Sequence, residues 1–295
     1  MQAFHPDRRA FLIAAALLLP AARAGAAAQA RPAAADDDRF ATVEKSVSGR
    51  LGVAALDTAS GRRIEHRAAE RFPLCSTFKF LAVAAVLKRV DEKQESLERR
   101  LAYGRGDLLD YAPITRQHVG EGGMRLSDLC AAAIEYSDNT AANLLLQSIG
   151  GPAAIGRYAA SLGDAVTHLD RTEPSLNEAL PGDERDTTSP NAMLGNMQAI
   201  LLGSALSPAS RQGIEAWLVG NTTGASRLRA GVPRDWRVGD KTGSGERGAT
   251  NDIAILWPPG RAPILLAAYL ADSAAPAAER NAALAAVGRI IAGSF

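Results

Sequence analysis

The 295-residue sequence has few of the features that mark a specialised class of protein. It contains two cysteines, Cys75 and Cys130, which are too few for a disulfide scaffold. Lys and Arg total 33 against 32 Asp and Glu, so no large net charge favours nucleic acid or an anionic membrane surface as a partner. The four histidines show no metal-ligand spacing such as H-E-x-x-H, and we expect no metal or other cofactor. A hydrophobic content of 47% predicts instead an ordinary globular protein with a substantial core.

Long apolar runs are also scarce, apart from one near the N-terminus. Arg8 and Arg9 precede an apolar stretch, residues 11–22, that is short for a bilayer-spanning helix and is flanked like a signal peptide. The paired arginines resemble a twin-arginine export signal, and several small-residue cleavage sites follow. We therefore predict a signal peptide over residues 1–30, with its cleavage site left open. The mature protein is expected to be soluble and periplasmic, without a stable membrane anchor.

The rest of the chain has strand-like segments at both ends and helical segments between them. Residues 50–57 read as a strand that a second strand through Ile64 would complete as a hairpin, and three short strand-like runs follow between residues 236 and 270. Six helical segments lie between residues 77 and 218, among them one over residues 190–202, and a final helix closes the chain. This order predicts the α/β (α+β) class: an antiparallel sheet flanked by helices, with an inserted all-α lobe.

In terms of domains, residues 31–295 are predicted to form one catalytic domain. Its α/β lobe would comprise approximately residues 39–67 and 219–295, and its helical lobe approximately residues 68–218. A cleft between two such lobes is the natural place for a site.

A lysine stands three places after a serine, where an apolar helical run begins. In a helix, Ser76 and Lys79 lie one turn apart on the same face, so the ammonium can reach the hydroxyl. Serine is a poor nucleophile unless a neighbour removes its proton. Lysine can do so only if its pKa falls from about 10.4 towards neutrality, a shift of roughly three units worth about 4 kcal/mol, and burial in the apolar run would favour that shift. Arginine is effectively always protonated. A lysine retained in a chain with five lysines and 28 arginines therefore indicates that ammonium chemistry is used here.

Two further short motifs accompany this pair. S-D-N at residues 137–139 lies at the junction of two predicted helices, and K-T-G at residues 241–243 ends a predicted strand. Taken singly, the first also reads as a helix N-cap and the second as a solvated strand end. Together and in this order, S-x-x-K, S-D-N and K-T-G are the signature of class A β-lactamases and penicillin-binding proteins.

From about Arg39 onwards the sequence resembles a class A serine β-lactamase. The stretch R-T-E-P-S-L-N, from Arg171 to Asn177, matches that family's Ω-loop together with Asp186. The resemblance implies that Glu173 and Asn177 hold the hydrolytic water and that Arg171 pairs with Asp186 across the loop base. It also implies hydrolysis of the β-lactam amide of penicillins and cephalosporins through a serine acyl-enzyme, antibiotic resistance as the consequence, and a monomeric protein.

The same resemblance assigns the chemistry to four residues. Ser76 forms the acyl-enzyme, and its proton goes either to Lys79 or through water to Glu173; these alternatives stay open. Ser137 relays a proton to the departing nitrogen, and Glu173 then activates the water that releases the product. The resemblance implies substrate contacts by seven residues: Asn139, Asn177, Lys241, Thr242, Ser244, Arg227 and Tyr111.

Two details of substrate binding follow from the family positions. The backbone N–H groups of Ser76 and Ser244 match the oxyanion hole. Arg227 would meet the substrate carboxylate beside the K-T-G motif, although Arg229 lies close by and is an alternative. Tyr111 matches an aromatic wall beside the entrance, and it could equally be ordinary packing.

The cysteines depart from the family pattern. Many members pair a cysteine matching Cys130 with one at the position of Val83, and a carbapenem-hydrolysing group pairs one matching Cys75 with one at the position of Gly245. Neither partner cysteine is present here. We therefore expect two free thiols, and carbapenem hydrolysis loses its main sequence support.

Two other functions share part of this pattern. A penicillin-binding D-alanyl-D-alanine peptidase has the serine, the lysine and the K-T-G element, but such peptidases generally lack a water-activating pair like Glu173 and Asn177. A non-catalytic β-lactam sensor would stay acylated and would need a membrane-linked signalling segment, and we find none in the sequence. The sequence leaves two alternatives for the acylation base, Lys79 and Glu173, and it leaves the breadth of the substrate range open.

Overall fold

A computed structural model describes residues 1–3 and 38–295 of the chain. The predicted signal peptide, with Arg8 and Arg9, therefore falls outside the described residues apart from the first three. Within the described part, none of the helices combines the length and apolar character needed to cross a bilayer.

Nine strands are present in the described residues, and five of them form the main sheet. They are β1 (Arg50–Asp57), β2 (Arg63–His66), β3 (Phe72–Pro73), β4 (Arg100–Leu101), β5 (Met124–Arg125), β6 (Thr187–Thr188), β7 (Arg237–Ser244), β8 (Thr250–Trp257) and β9 (Ile264–Ala271). The main sheet has the order β2-β1-β9-β8-β7, and all its neighbouring strands are antiparallel. Segments from both ends of the described chain thus meet in one sheet, as predicted.

The helices of the described residues fill most of the region between β2 and β7 and flank the sheet. They are α1 (Asp38–Ser46), α2 (Phe78–Asp91), α3 (Leu126–Glu135), α4 (Asn139–Ser148), α5 (Ala153–Ser161), α6 (Pro190–Met197), α7 (Pro208–Val219), α8 (Leu228–Gly231) and α9 (Ala277–Ala292). The predicted helix over residues 190–202 ends earlier, at Met197, and continues as a π turn over Gln198–Leu202. The predicted fold class is confirmed.

The main sheet is covered on both faces. Side chains alternate along a strand, so Leu51 and Val53 of β1 join a core with α1, α8 and α9, whereas Ala54 and Leu56 join the larger core formed with helices α2 to α7. Burial on both faces explains why these strands read as nearly continuous apolar runs. Residues 38–295 belong to one compact unit, and the division of this unit into two lobes stays a prediction.

Helix α2 is the element that places the nucleophile motif. Ten consecutive residues, Phe78–Leu87, are buried, so the helix is enclosed on all sides rather than on one stripe. Lys79 belongs to this buried segment, near its N-terminal end. The sequence therefore places one lysine side chain at the N-terminal end of a buried, mostly apolar helix segment.

Candidate active site

Ser76 lies on a 3₁₀ turn, Cys75–Thr77, that leads directly into α2. The side chain is buried, and its Oγ donates a hydrogen bond to Oε1 of Glu173 at 3.3 Å. The sequence predicted instead that the hydroxyl would lie within reach of Lys79. Within the described residues its hydrogen-bond partner is Glu173, and Lys79 lies on the other side of the same carboxylate oxygen.

Lys79 is completely buried and is surrounded by oxygen atoms. Its Nζ lies 3.1 Å from Oε1 of Glu173 and donates to the carbonyl oxygen of Ser137 at 2.7 Å and to Oδ1 of Asn139 at 2.6 Å. Burial lowers the pKa of Lys79, and the adjacent Glu173 carboxylate opposes that shift. The predicted direction of the pKa change is therefore confirmed.

Ser137 stands between the two buried lysines. Its Oγ accepts hydrogen bonds from Nζ of Lys79 at 3.3 Å and from Nζ of Lys241 at 3.0 Å. Its φ is +57°, in the left-handed region. The next residue, Asp138, is the N-cap of α4, as one reading of the sequence proposed, and its buried carboxylate also accepts from the backbone N–H of Thr115 at 2.9 Å. This network fixes the S-D-N segment against the neighbouring loop.

Glu173 is held by its backbone as well as by its side chain. The side-chain amide of Asn143 donates to the carbonyl oxygen of Glu173 at 2.9 Å and accepts from its N–H at 3.0 Å. The second carboxylate oxygen, Oε2, accepts from Nδ2 of Asn177 at 2.5 Å. The peptide bond to Pro174 is cis. Both carboxylate oxygens therefore have defined partners in the centre of the site.

The loop that carries Glu173 is closed at its base by a buried carboxylate. Asp186 accepts from Nε of Arg171 at 2.6 Å and from the backbone N–H groups of Asp170 and Arg171 at 2.8 and 2.9 Å. Arg171 also pairs with Glu178 at 2.6 Å. The predicted pairing of Arg171 with Asp186 is confirmed.

Strand β7 forms the opposite wall of the site. Lys241 is completely buried, and burial, Lys79 and Arg227 lower its pKa well below the usual value. A cavity of about 330 Å³ opens between this strand and the nucleophile. Nine residues line the cavity: Ser76, Tyr111, Ser137, Asn139, Asn177, Thr223, Arg227, Thr242 and Ser244.

The structure distinguishes between the two candidate arginines. Arg227 lines the cavity, and its guanidinium donates to Oγ of Ser244 at 2.7 Å and to Oδ1 of Asn281 at 3.0 Å. Arg229 is instead paired with the buried carboxylate of Asp240. In the described part of the chain, every hydrogen-bond acceptor of Arg227 is a neutral oxygen, so its charge faces the cavity without a carboxylate partner.

All the predicted site residues come together here. Eight of the eleven line the cavity, and Lys79, Glu173 and Lys241 lie behind its wall with buried side chains. Sequence reasoning missed Asn143, whose signal was its position one turn after Asn139 on the same helix face. It also missed Thr223, which lines the cavity and exchanges a hydrogen bond of 2.5 Å with the hydroxyl of Thr242.

Both cysteines are free and buried, which confirms the expectation of two free thiols. Burial raises the pKa of Cys75 to about 12 and also raises that of Cys130. Cys75 directly precedes Ser76 and has a φ of +42°.

This fold, with a serine hydroxyl bonded to a buried carboxylate beside two buried lysines, defines a serine hydrolase of the acyl-enzyme type. The chain belongs to the β-lactamase enzyme family, which matches residues 37–295, and its likeness to class A members confirms the resemblance seen in the sequence. It is 48% identical to β-lactamase CTX-M-8 of Citrobacter amalonaticus, over 87% of this chain and 88% of that protein. It is 49% identical to β-lactamase L2 of Stenotrophomonas maltophilia, over 96% and 97%.

Solved structures give the same result. An ancestral class A β-lactamase superposes with a TM-score of 0.86 at 60% sequence identity, covering 88% of this chain and 99% of that one. A putative class A β-lactamase, PenP of Rhodopseudomonas palustris, superposes with a TM-score of 0.86 at 56% identity, covering 88% and 98%.

Proposed function

We propose that this chain hydrolyses the β-lactam amide of penicillins and cephalosporins through an acyl-enzyme on Ser76, and that it thereby confers antibiotic resistance. The observation that carries the proposal is the hydrogen bond of 3.3 Å from Ser76 Oγ to the buried Glu173 carboxylate, which is itself 3.1 Å from Lys79. The relatives named above, CTX-M-8 and L2, are β-lactamases and support it.

In this mechanism Glu173 removes the proton of Ser76. Four oxygens face Lys79 Nζ, and three of them can only accept: Ser137 O, Asn139 Oδ1 and Glu173 Oε1; the fourth is the Ser137 hydroxyl. An ammonium carries three N–H donors and no acceptor. The surroundings of Lys79 therefore match its protonated form in the resting enzyme, which favours Glu173 over Lys79 as the first base.

Cleavage of the lactam then requires a proton on the departing nitrogen. Attack of Ser76 Oγ on the carbonyl carbon forms the ester bond as the C–N bond breaks, and the electron pair of that bond stays on nitrogen. Ser137 can give its proton to this nitrogen and take one from Lys79, because its Oγ is 3.3 Å from Lys79 Nζ. The lowered pKa of Lys79 favours that transfer.

Deacylation returns to Glu173. The proton that Glu173 took from Ser76 first passes to Lys79, 3.1 Å away, which has given its own proton to Ser137. The restored carboxylate then takes a proton from a water that attacks the ester carbon. The ester C–O bond breaks, and Ser76 Oγ receives that proton and leaves as the restored hydroxyl. Asn177 Nδ2 holds Oε2 of Glu173 at 2.5 Å, which leaves Oε1 to act as the base. Asn177 Oδ1 is buried and has no hydrogen-bond partner among the described residues, so it can accept from the same water.

Substrate binding follows from the charges along β7. Lys241, Thr242 and Arg227 would bind the substrate carboxylate, and the N–H groups of Ser76 and Ser244 would bind the developing oxyanion. Asn139 would contact the acylamino side chain with its amide N–H₂, since its Oδ1 already accepts from Lys79. Tyr111, which is 52% exposed at the edge of the cavity, would form an aromatic wall at the entrance.

Turnover of a chromogenic cephalosporin by the purified protein tests the proposal, with intact-protein mass spectrometry to detect the adduct. The Ser76→Ala variant should form no adduct and show no turnover. The Glu173→Ala variant should accumulate the adduct, because Lys79 loses its carboxylate partner there and can replace Glu173 as the base for attack, whereas release loses the carboxylate that activates the water. Wild-type protein that neither turns over the cephalosporin nor is acylated would exclude the proposed function.

We also propose export and a monomeric state. The paired Arg8 and Arg9 before the apolar residues 11–22 support a twin-arginine signal peptide over residues 1–30 and a periplasmic location, and the clustering of strands at both chain ends supports the two lobes. Cell fractionation of a bacterium expressing the full chain, compared with an Arg8→Lys/Arg9→Lys variant, tests the route. Retention of the variant in the cytoplasm is expected, and normal export of the variant would contradict the proposed export route.

Size-exclusion chromatography with light scattering tests the proposed monomeric state.

A further inference from the structure

The two halves of the proposed oxyanion hole come from different elements of the fold. Ser76 lies on the 3₁₀ turn, whereas Ser244 ends strand β7. An oxyanion hole is effective only when both N–H groups are held at about 3 Å from the developing charge. The turn must therefore be fixed against the sheet by contacts that do not belong to the turn itself.

The turn does not hold its own conformation. Cys75, immediately before Ser76, has a φ of +42°, which a non-glycine residue keeps only where its surroundings impose it. Thr77 donates to the carbonyl oxygen of Leu74 through its N–H at 3.2 Å and its Oγ1 at 2.6 Å. Thr77 lies on the turn, so these two bonds tighten the turn itself, and its Oγ1 also shares a hydrogen bond of 3.2 Å with the hydroxyl of Tyr269 on β9.

Asn251 of strand β8 supplies a contact from the sheet. It is completely buried, and its Nδ2 donates to the carbonyl oxygens of Pro73 at 2.8 Å and Leu74 at 3.2 Å. Asn251 is paired with Gly243 of β7, and paired residues of antiparallel strands present the same face of the sheet. A Cβ on Gly243 would lie 3.1 Å from the carbonyl oxygen of Leu74. The glycine thus lets the turn approach the sheet closely enough for the amide to reach it.

The orientation of this amide is fixed by chemistry. If the amide were reversed, Oδ1 would face two carbonyl oxygens. All three atoms are acceptors, so no hydrogen bond could form. In the observed orientation Oδ1 is buried and has no partner in residues 38–295. A buried unpaired acceptor is destabilising. The donor side of Asn251 therefore accounts for an asparagine at this position.

The backbone of the same residue contacts the carboxylate-binding arginine. Nη1 of Arg227 donates to the carbonyl oxygens of Asn251 and Gly243, each at 2.8 Å. Asn251 thus contacts the nucleophile turn with its side chain and Arg227 with its main chain.

We propose that Asn251 is a positioning residue that fixes Ser76 against Ser244 and links the oxyanion hole to the carboxylate site at Arg227. This inference rests on the proposed function. Loss of the two amide hydrogen bonds would let the turn shift relative to β7. A misplacement of about 1 Å can slow a reaction by about 100-fold while the substrate still binds.

The experiment compares Asn251→Leu and Asn251→Ser with a matched control, Asn196→Leu. Asn196 of α6 is also buried, donates through Nδ2 to Asp164 at 2.7 Å and leaves its Oδ1 unpaired within the described structure, but it lines a different cavity. Stopped-flow measurements with a chromogenic cephalosporin give the acylation rate constant and the substrate dissociation constant separately. Thermal unfolding gives the stability of each variant.

We expect Asn251→Leu to lower the acylation rate constant by about 10- to 100-fold, with the dissociation constant within about threefold of wild type. Asn251→Ser keeps one O–H donor and should be intermediate. Asn196→Leu should lower the melting temperature but leave acylation within about twofold of wild type.

The inference is overturned if Asn251→Ser and any folded Asn251→Leu acylate at the wild-type rate below their melting temperatures. It is also overturned if Asn196→Leu slows acylation as much as the Asn251 variants do, because the effect would then be a general loss of stability. If Asn251→Leu does not fold, Asn251→Ser and the control decide the question in the same way. Wild-type protein that forms no adduct on Ser76 overturns the proposed function together with this inference.

Discussion

Replacing Glu173 by Gln tests two effects of one carboxylate: general-base catalysis, and stabilisation of the buried Lys79 ammonium. The amide has nearly the same shape but cannot serve as a general base. General-base catalysis contributes about 10²- to 10⁴-fold, so we expect turnover of a chromogenic cephalosporin to fall by that factor. This loss corresponds to about 3–5 kcal/mol in the activation barrier. Because release of the product is the step that needs the activated water, the acyl-enzyme on Ser76 should accumulate and appear in the mass spectrum.

The same substitution removes the counter-ion of a buried lysine. Glu173 is the one acidic side chain within ion-pair distance of Lys79 in residues 38–295, and both side chains are completely buried. Breaking a buried pair costs about 3–5 kcal/mol if the remaining charge stays. The alternative is that Lys79 loses its proton, which costs about 5 kcal/mol at pH 7 relative to an unfolded lysine. The wild type already carries part of the cost of burying the Lys79 ammonium, and acceptors on Ser137 and Asn139 remain in the variant. We therefore expect the free energy of unfolding to fall by about 2–4 kcal/mol.

The pH dependence of this loss has a definite sign. In the folded variant the pKa of Lys79 falls further below its ordinary value, because Glu173 no longer opposes the effect of burial. Between that folded pKa and the unfolded value near 10.4, the unfolded chain binds more protons, so the stability of the variant rises with pH. The deficit relative to wild type should therefore narrow from pH 7 to pH 9 in urea denaturation.

The matched control is Glu178→Gln, on the same loop. Glu178 pairs with Arg171 at 2.6 Å, and its side chain is 44% exposed. We expect this control to keep turnover within about twofold and to lose less than about 1 kcal/mol. Normal turnover by Glu173→Gln would refute the base role, and a deficit that does not change with pH would refute the account of the lysine charge.

Three further predictions follow from the charges and thiols of the site. Arg227→Ala should raise KM about 10-fold or more for a cephalosporin with a free carboxylate but much less for its methyl ester; an equal rise for both would contradict carboxylate binding. The native protein should expose no reactive thiol at pH 8, since burial raises the pKa of Cys75 to about 12 and raises that of Cys130, and the denatured, unreduced chain should titrate two; a lower count would indicate a disulfide. Burial and the nearby Asp240 raise the pKa of Asp252 well above its ordinary value, so the folded wild type binds a proton that the unfolded chain releases, and its stability falls as pH rises from about 4. Asp252→Asn should show a smaller fall in chemical denaturation, since burial also raises the pKa of Asp240, and an unchanged fall would show that Asp252 does not cause it.

The fold was predictable where the determining signals are local. Strand β1 has the predicted bounds, because the apolar residues 51–56 run into the turn T-A-S-G. The helix predicted over residues 190–202 was less accurate. Its apolar pattern continues past Met197, but the backbone changes there from an α-helix to a π turn. The two kinds of turn give nearly the same spacing of apolar residues, so the sequence pattern does not show the change.

The site was predictable to the extent that its motifs are short. The spacing of Ser76 and Lys79 placed both on one turn. It could not show that Glu173, from a distant loop, would bring one carboxylate oxygen within 3.3 Å of Ser76 Oγ and 3.1 Å of Lys79 Nζ. Arg227 and Arg229 are two residues apart in sequence. Arg227 precedes the short helix α8 and reaches the cavity, whereas Arg229 lies within α8 and binds Asp240. Their positions at the start of this helix and inside it give the two side chains different partners, and the sequence alone does not show this difference.

The partners of the cations at the cavity give a physical reason for an anionic substrate. Lys79 has a carboxylate partner, but Lys241 has none within 4 Å in the described residues, and Arg227 bonds only to neutral oxygens there. Burial and the two neighbouring cations lower the pKa of Lys241, so its ammonium is less stable in the empty site than in water. Under the proposed function, a substrate carboxylate would offset that cost on binding. We therefore expect the positive charges of Lys241 and Arg227 to favour an anionic substrate. Ser76 lines the same cavity, so the lactam carbonyl of a substrate bound there would lie close to its hydroxyl.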